Sequence, residues 1–162
     1  MEDQILRRQL VNLLQGRGAH MPFDDAVADF PPDMINTRPP NVTYTPWHLV
    51  EHLRLAQWDI LEYVRNPRHE SPPWPEGYWP APDAQADAAA WNASLDAFRR
   101  DLRDMQAIVE DPATDLFALI PHGYDGHTIL REALILADHN AYHVGELAIL
   151  RQVMGAWGKA QH

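Results

Sequence analysis

The chain has 162 residues, 46% of them hydrophobic and 22% charged, a balance typical of one globular domain, residues 1–162, with its own core. The formal net charge of −10, with 13 basic residues that form no long cluster, argues against a nucleic-acid partner. No apolar run approaches the roughly 20 residues that span a bilayer, and the acidic start at residues 1–4 is unlike a signal peptide, so we expect a cytoplasmic protein without a membrane partner.

The first predicted helix covers residues 2–15, and a long irregular connection follows it. Gly16 and Gly18 end this helix, and a short amphipathic turn is expected over residues 23–30. The connection 16–44 is too long for a tight hairpin and favours a crossover along a helical bundle. The apolar face of the helix consists of Ile5, Leu6, Leu10, Leu13 and Leu14.

The second predicted helix, residues 45–64, has the clearest start in the sequence. Thr45 is expected to be its N-cap, and Pro46 suits the first helical position. His52 lies at the edge of the apolar stripe and is directed inward. His48, one turn earlier, is expected to be exposed or to line the mouth of a cleft, although a fourth metal ligand or a proton shuttle is an alternative. The stripe consists of Leu49, Leu53, Ala56, Ile60 and Val64.

Residues 66–82, which we call the Pro-rich flap, contain six prolines interleaved with Trp74, Tyr78 and Trp79. Such a segment cannot form a regular helix, and three large aromatic side chains are not expected to lie free in solvent. We therefore expect an ordered segment that packs against the helices. The simplest interpretation is a strap over one end of the core, and the alternatives are the lining of a substrate cleft or a subunit interface.

Two further helices are predicted, over residues 83–110 and 128–154. The first has strict bundle-like apolar spacing, and the second begins after Thr128 and ends at Gly155. Four long helices, irregular connections and no strand pattern predict an all-α four-helix bundle. The regularly spaced residues of the third helix, which we expect in the core, are Trp91, Leu95, Phe98, Leu102, Met105 and Val109.

The metal-binding chemistry of the chain must depend on histidine and carboxylate side chains. The sequence has no cysteine, which excludes disulfides, a thiol nucleophile and thiolate ligands, although a thiol substrate stays possible. His139 and His143 are four residues apart, so on a helix both rings leave the same face. If the fourth helix neighbours the second, His52 can join them inside the bundle.

Burial favours one shared ion over three isolated imidazoles at these positions. Unmet hydrogen bonds of a buried polar group cost on the order of 1–3 kcal/mol, and a divalent ion satisfies three rings at once. Three histidines with an open fourth position also match a catalytic site better than a closed structural one.

Other titratable residues have less specific expectations. Glu146 lies one turn beyond His143 and can orient an imidazole or balance charge, or it can be a solvated helix residue. Glu132, two turns before His139, has the same two interpretations, and of these we expect the solvated one. The position of His20 in a loop is not predictable. The remaining histidines are expected at the surface: His69, His122, His127 and His162.

Two segments resemble motifs of the DinB/YfiT-like superfamily. Thr45–Leu53 is similar to its second-helix motif and Asp138–Leu147 to its fourth-helix motif. The resemblance extends over most of the chain, including residues 18–20 and the end of the Pro-rich flap. It implies a four-helix bundle of up-down-down-up topology with long crossover loops, often a homodimer. By position it implies a nickel, zinc or manganese ion held by His52, His139 and His143.

The resemblance implies an activity less directly than a fold. Some members of this superfamily are thiol S-transferases or isomerases that use a low-molecular-weight thiol, and others have been suggested to be metal-dependent hydrolases. We therefore expect a metal-dependent enzyme that activates a thiol or a water nucleophile for a small-molecule substrate. The alternative is a non-catalytic, stress-associated bundle in which the metal is structural or absent and the Pro-rich flap forms a dimer interface.

Overall fold

The computed structural model describes residues 1–158, and its regular elements are helical throughout this range. The described residues contain no strand, apart from an isolated antiparallel bridge between Leu119 and Thr128. The all-α prediction is therefore confirmed, while His162 lies outside the described residues. The helices are α1 Glu2–Leu14, α2 Phe23–Val27, α3 Pro46–Arg65, α4 Ala88–Glu110 and α5 Ile129–Met154, with a 3-10 turn at Glu76–Tyr78.

Helices α1, α3, α4 and α5 are the four long helices that the sequence predicts. The start of α4 differs: we expected it at residue 83, and it begins at Ala88. The Asp87 side chain accepts a hydrogen bond from the Ala90 backbone N–H at 2.7 Å, which caps the helix at that point. None of the helices in residues 1–158 combines the length and the apolar character needed to cross a membrane.

The predicted caps of α3 and α5 are confirmed. The Thr45 hydroxyl accepts a hydrogen bond from the His48 backbone N–H at 3.1 Å, and Pro46 occupies the first position of α3. The Thr128 hydroxyl accepts one from the Arg131 backbone N–H at 3.2 Å. These caps fix the residue at which each helix starts. They therefore fix how many turns from that start its histidines lie.

Helix α3 packs against both α4 and α5, and its hydrogen bonds show how it is oriented against α5. Just before α3, the Tyr44 hydroxyl donates to Glu146 in the second half of α5. Near the end of α3, the Tyr63 hydroxyl contacts Nδ1 of His127, just before α5. The two helices therefore run antiparallel, which places the middle of α3 opposite the middle of α5.

A buried amide pair lies between α3 and α5, beside the histidines. Asn140 donates from Nδ2 to Oε1 of Gln57 at 3.0 Å, and Gln57 donates from Nε2 to the backbone carbonyl of Phe98 at 2.6 Å. Gln57 is fully buried, so a shift of α5 along α3 would leave its Oε1 without the Asn140 donor. This contact holds α3, α4 and α5 in one register, one residue away from His139.

Candidate metal centre

The structure brings together the three histidines that the sequence predicts as ligands. His52 lies on α3, and His139 and His143 lie one turn apart on α5. His52 is buried and the other two are half-buried. One ring nitrogen of each lies within 4.8 Å of the other two, an arrangement that can hold a metal ion.

The hydrogen bonds of His52 and His143 assign the proton of each neutral ring to Nδ1. His52 donates from Nδ1 to the backbone carbonyl of Tyr78 at 2.9 Å. His143 donates from Nδ1 to Oε2 of Glu146 at 2.6 Å. A neutral imidazole carries one proton, so both Nε2 atoms are unprotonated, and they face each other at 3.2 Å. No hydrogen bond can form between two bare nitrogens, and a shared cation satisfies both.

His139 adds a third nitrogen to the same point. Its Nε2 lies 3.2 Å from Nε2 of His52, while its Nδ1 is buried and has no hydrogen-bond partner among the described residues. With the proton on Nδ1, Nε2 is free to bind a cation, and with the proton on Nε2, that nitrogen can donate to Nε2 of His52. Nitrogen ligands about 2.1 Å from a tetrahedral zinc ion lie about 3.4 Å apart, close to the observed separations.

The electrostatics of the group keep the three rings neutral near pH 7, which is the form that binds metal. Burial, with a smaller contribution from the neighbouring imidazoles, lowers the pKa of His139 to about 4 and that of His143 to about 3. Burial also lowers the pKa of His52, although its hydrogen bond to the Tyr78 carbonyl opposes this. The metal-free group is therefore three neutral bases directed at one point.

Glu146 holds the outer side of His143, and Tyr44 holds Glu146. The Tyr44 hydroxyl donates to Oε1 of the carboxylate, whose Oε2 accepts from His143. Burial raises the pKa of Glu146 above its usual range. A carboxylate on the far nitrogen of a ligating histidine fixes its tautomer and orientation, so the orienting interpretation of Glu146 agrees with the structure.

The Pro-rich flap contacts the site directly. The indole of Trp79 stacks on the ring of His52, with centroids 4.0 Å apart and planes inclined by 4°. Trp79 also packs against the core, so the flap is both a strap and a lining of the site. The expectation that all three flap aromatics are sheltered is wrong for Trp74, which is 72% exposed although its ring lies 5.5 Å from that of Tyr78.

Two predictions about the flanking polar residues are wrong. His48 was expected to be exposed or at a cleft mouth, but it is buried and its Nε2 contacts the backbone carbonyl of Ala84 at 2.9 Å. Glu132 was expected to be solvated, but it is buried and accepts a hydrogen bond from Arg131 at 2.5 Å. His20, whose position was not predictable, is exposed.

The predicted surface histidines divide into three cases. His122 is exposed, as predicted. His127 is half-buried, and its Nδ1 contacts the Tyr63 hydroxyl at 3.0 Å. The His69 side chain is only 6% exposed because its Nε2 contacts Asp59 on α3 at 2.7 Å. The surface prediction is therefore wrong for His69, since its partner lies on an element that the local sequence does not reveal.

Sequence reasoning did not identify three residues that contact the histidines or their partner. Tyr44 lies before the cap of α3 and outside any periodic pattern. Tyr78 contributes a backbone carbonyl, which any residue type carries. Trp79 was noted only as a member of the flap. An aromatic residue just before a helix whose first turns carry histidines is the one signal that points to Tyr44.

The chain belongs to the DinB superfamily, whose family model matches residues 15–147. This span includes α3, α4, the Pro-rich flap and the part of α5 that carries His139 and His143. No curated protein and no solved structure matches the chain significantly. The assignment supports the helical-bundle fold and is compatible with a metal site.

We expect the metal-free protein to lose stability as the pH falls from about 7 to about 5. The folded-state pKa values of about 4 for His139 and about 3 for His143 lie below the value of about 6.5 in an unfolded chain. The unfolded chain therefore takes up protons that the folded chain does not. The stability is complete above pH 6.5 and is lost as the pH falls towards the folded pKa values.

Urea unfolding in the presence of a chelator, at about pH 7, 6 and 5, measures this loss. The loss should be smaller in His143→Gln than in the wild type, since the variant lacks one of the responsible groups. His122→Gln is the matched control at an exposed histidine and should follow the wild type. Equal losses in His143→Gln and the wild type would contradict the assignment.

Proposed function

We propose that this member of the DinB superfamily holds one divalent metal ion through His52, His139 and His143 and acts as a metal-dependent enzyme on a small molecule. The observation that supports this most is the pair of bare Nε2 atoms 3.2 Å apart, each on a ring whose Nδ1 is already hydrogen-bonded. These two atoms cannot form a hydrogen bond with each other, and a shared cation satisfies both. The three rings also leave room in a four-coordinate ion for one further ligand.

The nucleophile that we propose is a low-molecular-weight thiol, as in a thiol S-transferase, and the alternative is water, as in a hydrolase. When bound, a divalent ion supplies Lewis acidity, which lowers the pKa of a coordinated thiol or water so that the nucleophile is available near neutral pH. The chain itself has no cysteine, so a thiol must come from the solution.

The ligand set favours some ions over others. Imidazole nitrogens suit zinc and nickel, whereas manganese prefers oxygen ligands. Within residues 1–158, no carboxylate joins the three histidines inside the same 4.8 Å. Of the three ions that the resemblance implies, zinc and nickel therefore fit these residues better than manganese.

The residues around the histidines orient rings and do not transfer protons in this proposal. Both carboxylate oxygens of Glu146 accept hydrogen bonds, one from Tyr44 and one from His143. Glu146 is therefore assigned to holding the ring of His143 and not to the role of general base. His48 is committed to the carbonyl of Ala84 and is not part of the group.

The outer face of α5 supports a second proposal, that the chain is a homodimer. Ile135, Tyr142 and Ile149 recur every seven residues on this face and are 38%, 72% and 64% exposed, and Val153 is 58% exposed. An apolar stripe along an exposed helix is typical of an interaction surface. A second copy of the chain is the occupant that we propose, since the resemblance implies dimers.

The cytoplasmic location and the lack of nucleic-acid partners stay predictions from composition.

The metal proposal predicts about one divalent ion per chain in protein purified without a histidine tag. His143→Ala and His52→Ala should lose most of this metal, because each removes one of three ligands. His122→Ala removes an exposed histidine outside the group, and this variant should keep the metal. Elemental analysis with a matched protein concentration gives the ratio. Metal retained fully by both ligand variants would rule out the proposed site.

The dimer proposal predicts that charge on the outer face of α5 produces monomers. In the variant Ile149→Lys with Val153→Lys, two ammonium groups would have to be desolvated in the interface. Ala89→Lys, on an exposed position of α4, is the control and should leave the dimer intact. Sedimentation velocity measures the state of each protein. A wild-type chain that sediments as a monomer at high concentration would contradict the proposal.

A further inference from the structure

Asp59 lies on the same face of α3 as His52, two helical turns later. Its side chain is largely buried and both carboxylate oxygens have partners. Oδ1 lies 2.7 Å from Nε2 of His69, and Oδ2 accepts a hydrogen bond from the Tyr78 hydroxyl at 2.7 Å. A buried carboxylate with two partners from outside its own helix needs an explanation beyond the stability of α3.

The two partners of Asp59 belong to opposite ends of the Pro-rich flap. His69 lies near its start, and Tyr78 lies near its end, beside Trp79. One carboxylate of α3 therefore holds both ends of a segment that has only one short 3-10 turn of regular structure. Because prolines remove backbone donors from the flap, side-chain contacts of this kind determine where it lies.

Tyr78 connects Asp59 to the metal centre. Its hydroxyl binds Asp59, its backbone carbonyl accepts from Nδ1 of His52, and the next residue, Trp79, stacks on the His52 ring. Burial and the hydrogen bond to Asp59 raise the pKa of Tyr78, so the hydroxyl stays a donor. The ring of His52 thus contacts the Tyr78 carbonyl at one edge and the Trp79 indole on one face. Asp59 fixes the position of both residues through the Tyr78 hydroxyl.

We propose that Asp59 is a positioning residue of the three-histidine centre, which acts through Tyr78 to set the tautomer and orientation of His52. With the Tyr78 carbonyl in place, the proton of His52 stays on Nδ1 and Nε2 is directed at the other two rings. Without it, the ring is free to carry its proton on Nε2, which blocks that nitrogen as a ligand. The expected effect of Asp59 on metal affinity rests on the proposed metal site. Its expected effect on the tautomer of His52 does not.

The test uses Tyr78→Phe, which keeps the aromatic ring and the backbone and removes only the hydroxyl that binds Asp59. Tyr63→Phe is the matched control, since its hydroxyl is also hydrogen-bonded, to His127 and to the Tyr124 backbone N–H, near the end of α3. Asp59→Ala is the second variant and removes both contacts of the flap to the carboxylate. Circular dichroism confirms that each variant is folded.

Two readouts are measured on the full chain. In the metal-free protein, nitrogen-15 NMR of the His52 ring should show the Nδ1-protonated tautomer in the wild type and in Tyr63→Phe, and a mixture of tautomers in Tyr78→Phe and Asp59→Ala. In competition with a chromophoric chelator, zinc affinity should fall about tenfold in Tyr78→Phe and stay within about twofold in Tyr63→Phe.

The outcomes separate the two levels of inference. A wild-type chain that binds no zinc contradicts the proposed function, while the tautomer measurement still decides the role of Asp59. An unchanged His52 tautomer in a folded Tyr78→Phe or Asp59→Ala variant overturns the positioning role. If the wild type binds zinc and both variants bind it with the same affinity as the wild type, the positioning role is overturned as well.

Discussion

The geometry of the site depends on the fact that two of its imidazoles are already hydrogen-bonded at Nδ1. The Tyr78 carbonyl accepts from His52 and the Glu146 carboxylate accepts from His143, so the two bare Nε2 atoms meet at 3.2 Å. Each unpaired buried nitrogen costs on the order of 1–3 kcal/mol. A fold that holds such atoms close together favours the binding of a cation between them. The buried Gln57–Asn140 contact fixes the register of α3 against α5 that keeps these atoms close.

The two rings are held by different parts of the chain, and this asymmetry bears on function. His143 is held from its own helix by Glu146, and Tyr44 extends that contact to the residues before α3. His52 is held by the Pro-rich flap, through Tyr78 and Trp79. The flap also reaches His143, but less closely, since the Trp79 ring centroid lies 6.5 Å from that of His143 and 4.0 Å from that of His52. We therefore expect a change in the flap to alter His52 more than His143. The helices bring the three imidazole rings together. The contacts of the flap determine how the ring of His52 is oriented.

The sequence predicted those parts of the structure that depend on local signals. Helical periodicity and the Thr45 and Thr128 caps are such signals, and the helices follow them. The i,i+4 spacing of His139 and His143 is local as well. The burial of His48 is not, because it depends on the Ala84 carbonyl 36 residues away. The Tyr44–Glu146 contact joins residues 102 positions apart, and the Tyr78 contribution is a backbone carbonyl, so neither has a pattern that a single sequence displays.

The most direct test of the account is the absorption spectrum of the cobalt-substituted protein, recorded before and after addition of a small thiol. Three imidazoles with an open position predict intense visible bands of a four-coordinate ion, and a new thiolate-to-cobalt charge-transfer band when the thiol binds. The bands should be absent in His143→Ala. A four-coordinate spectrum that neither a thiol nor another small ligand changes would show a closed structural site, and would contradict the open three-histidine centre.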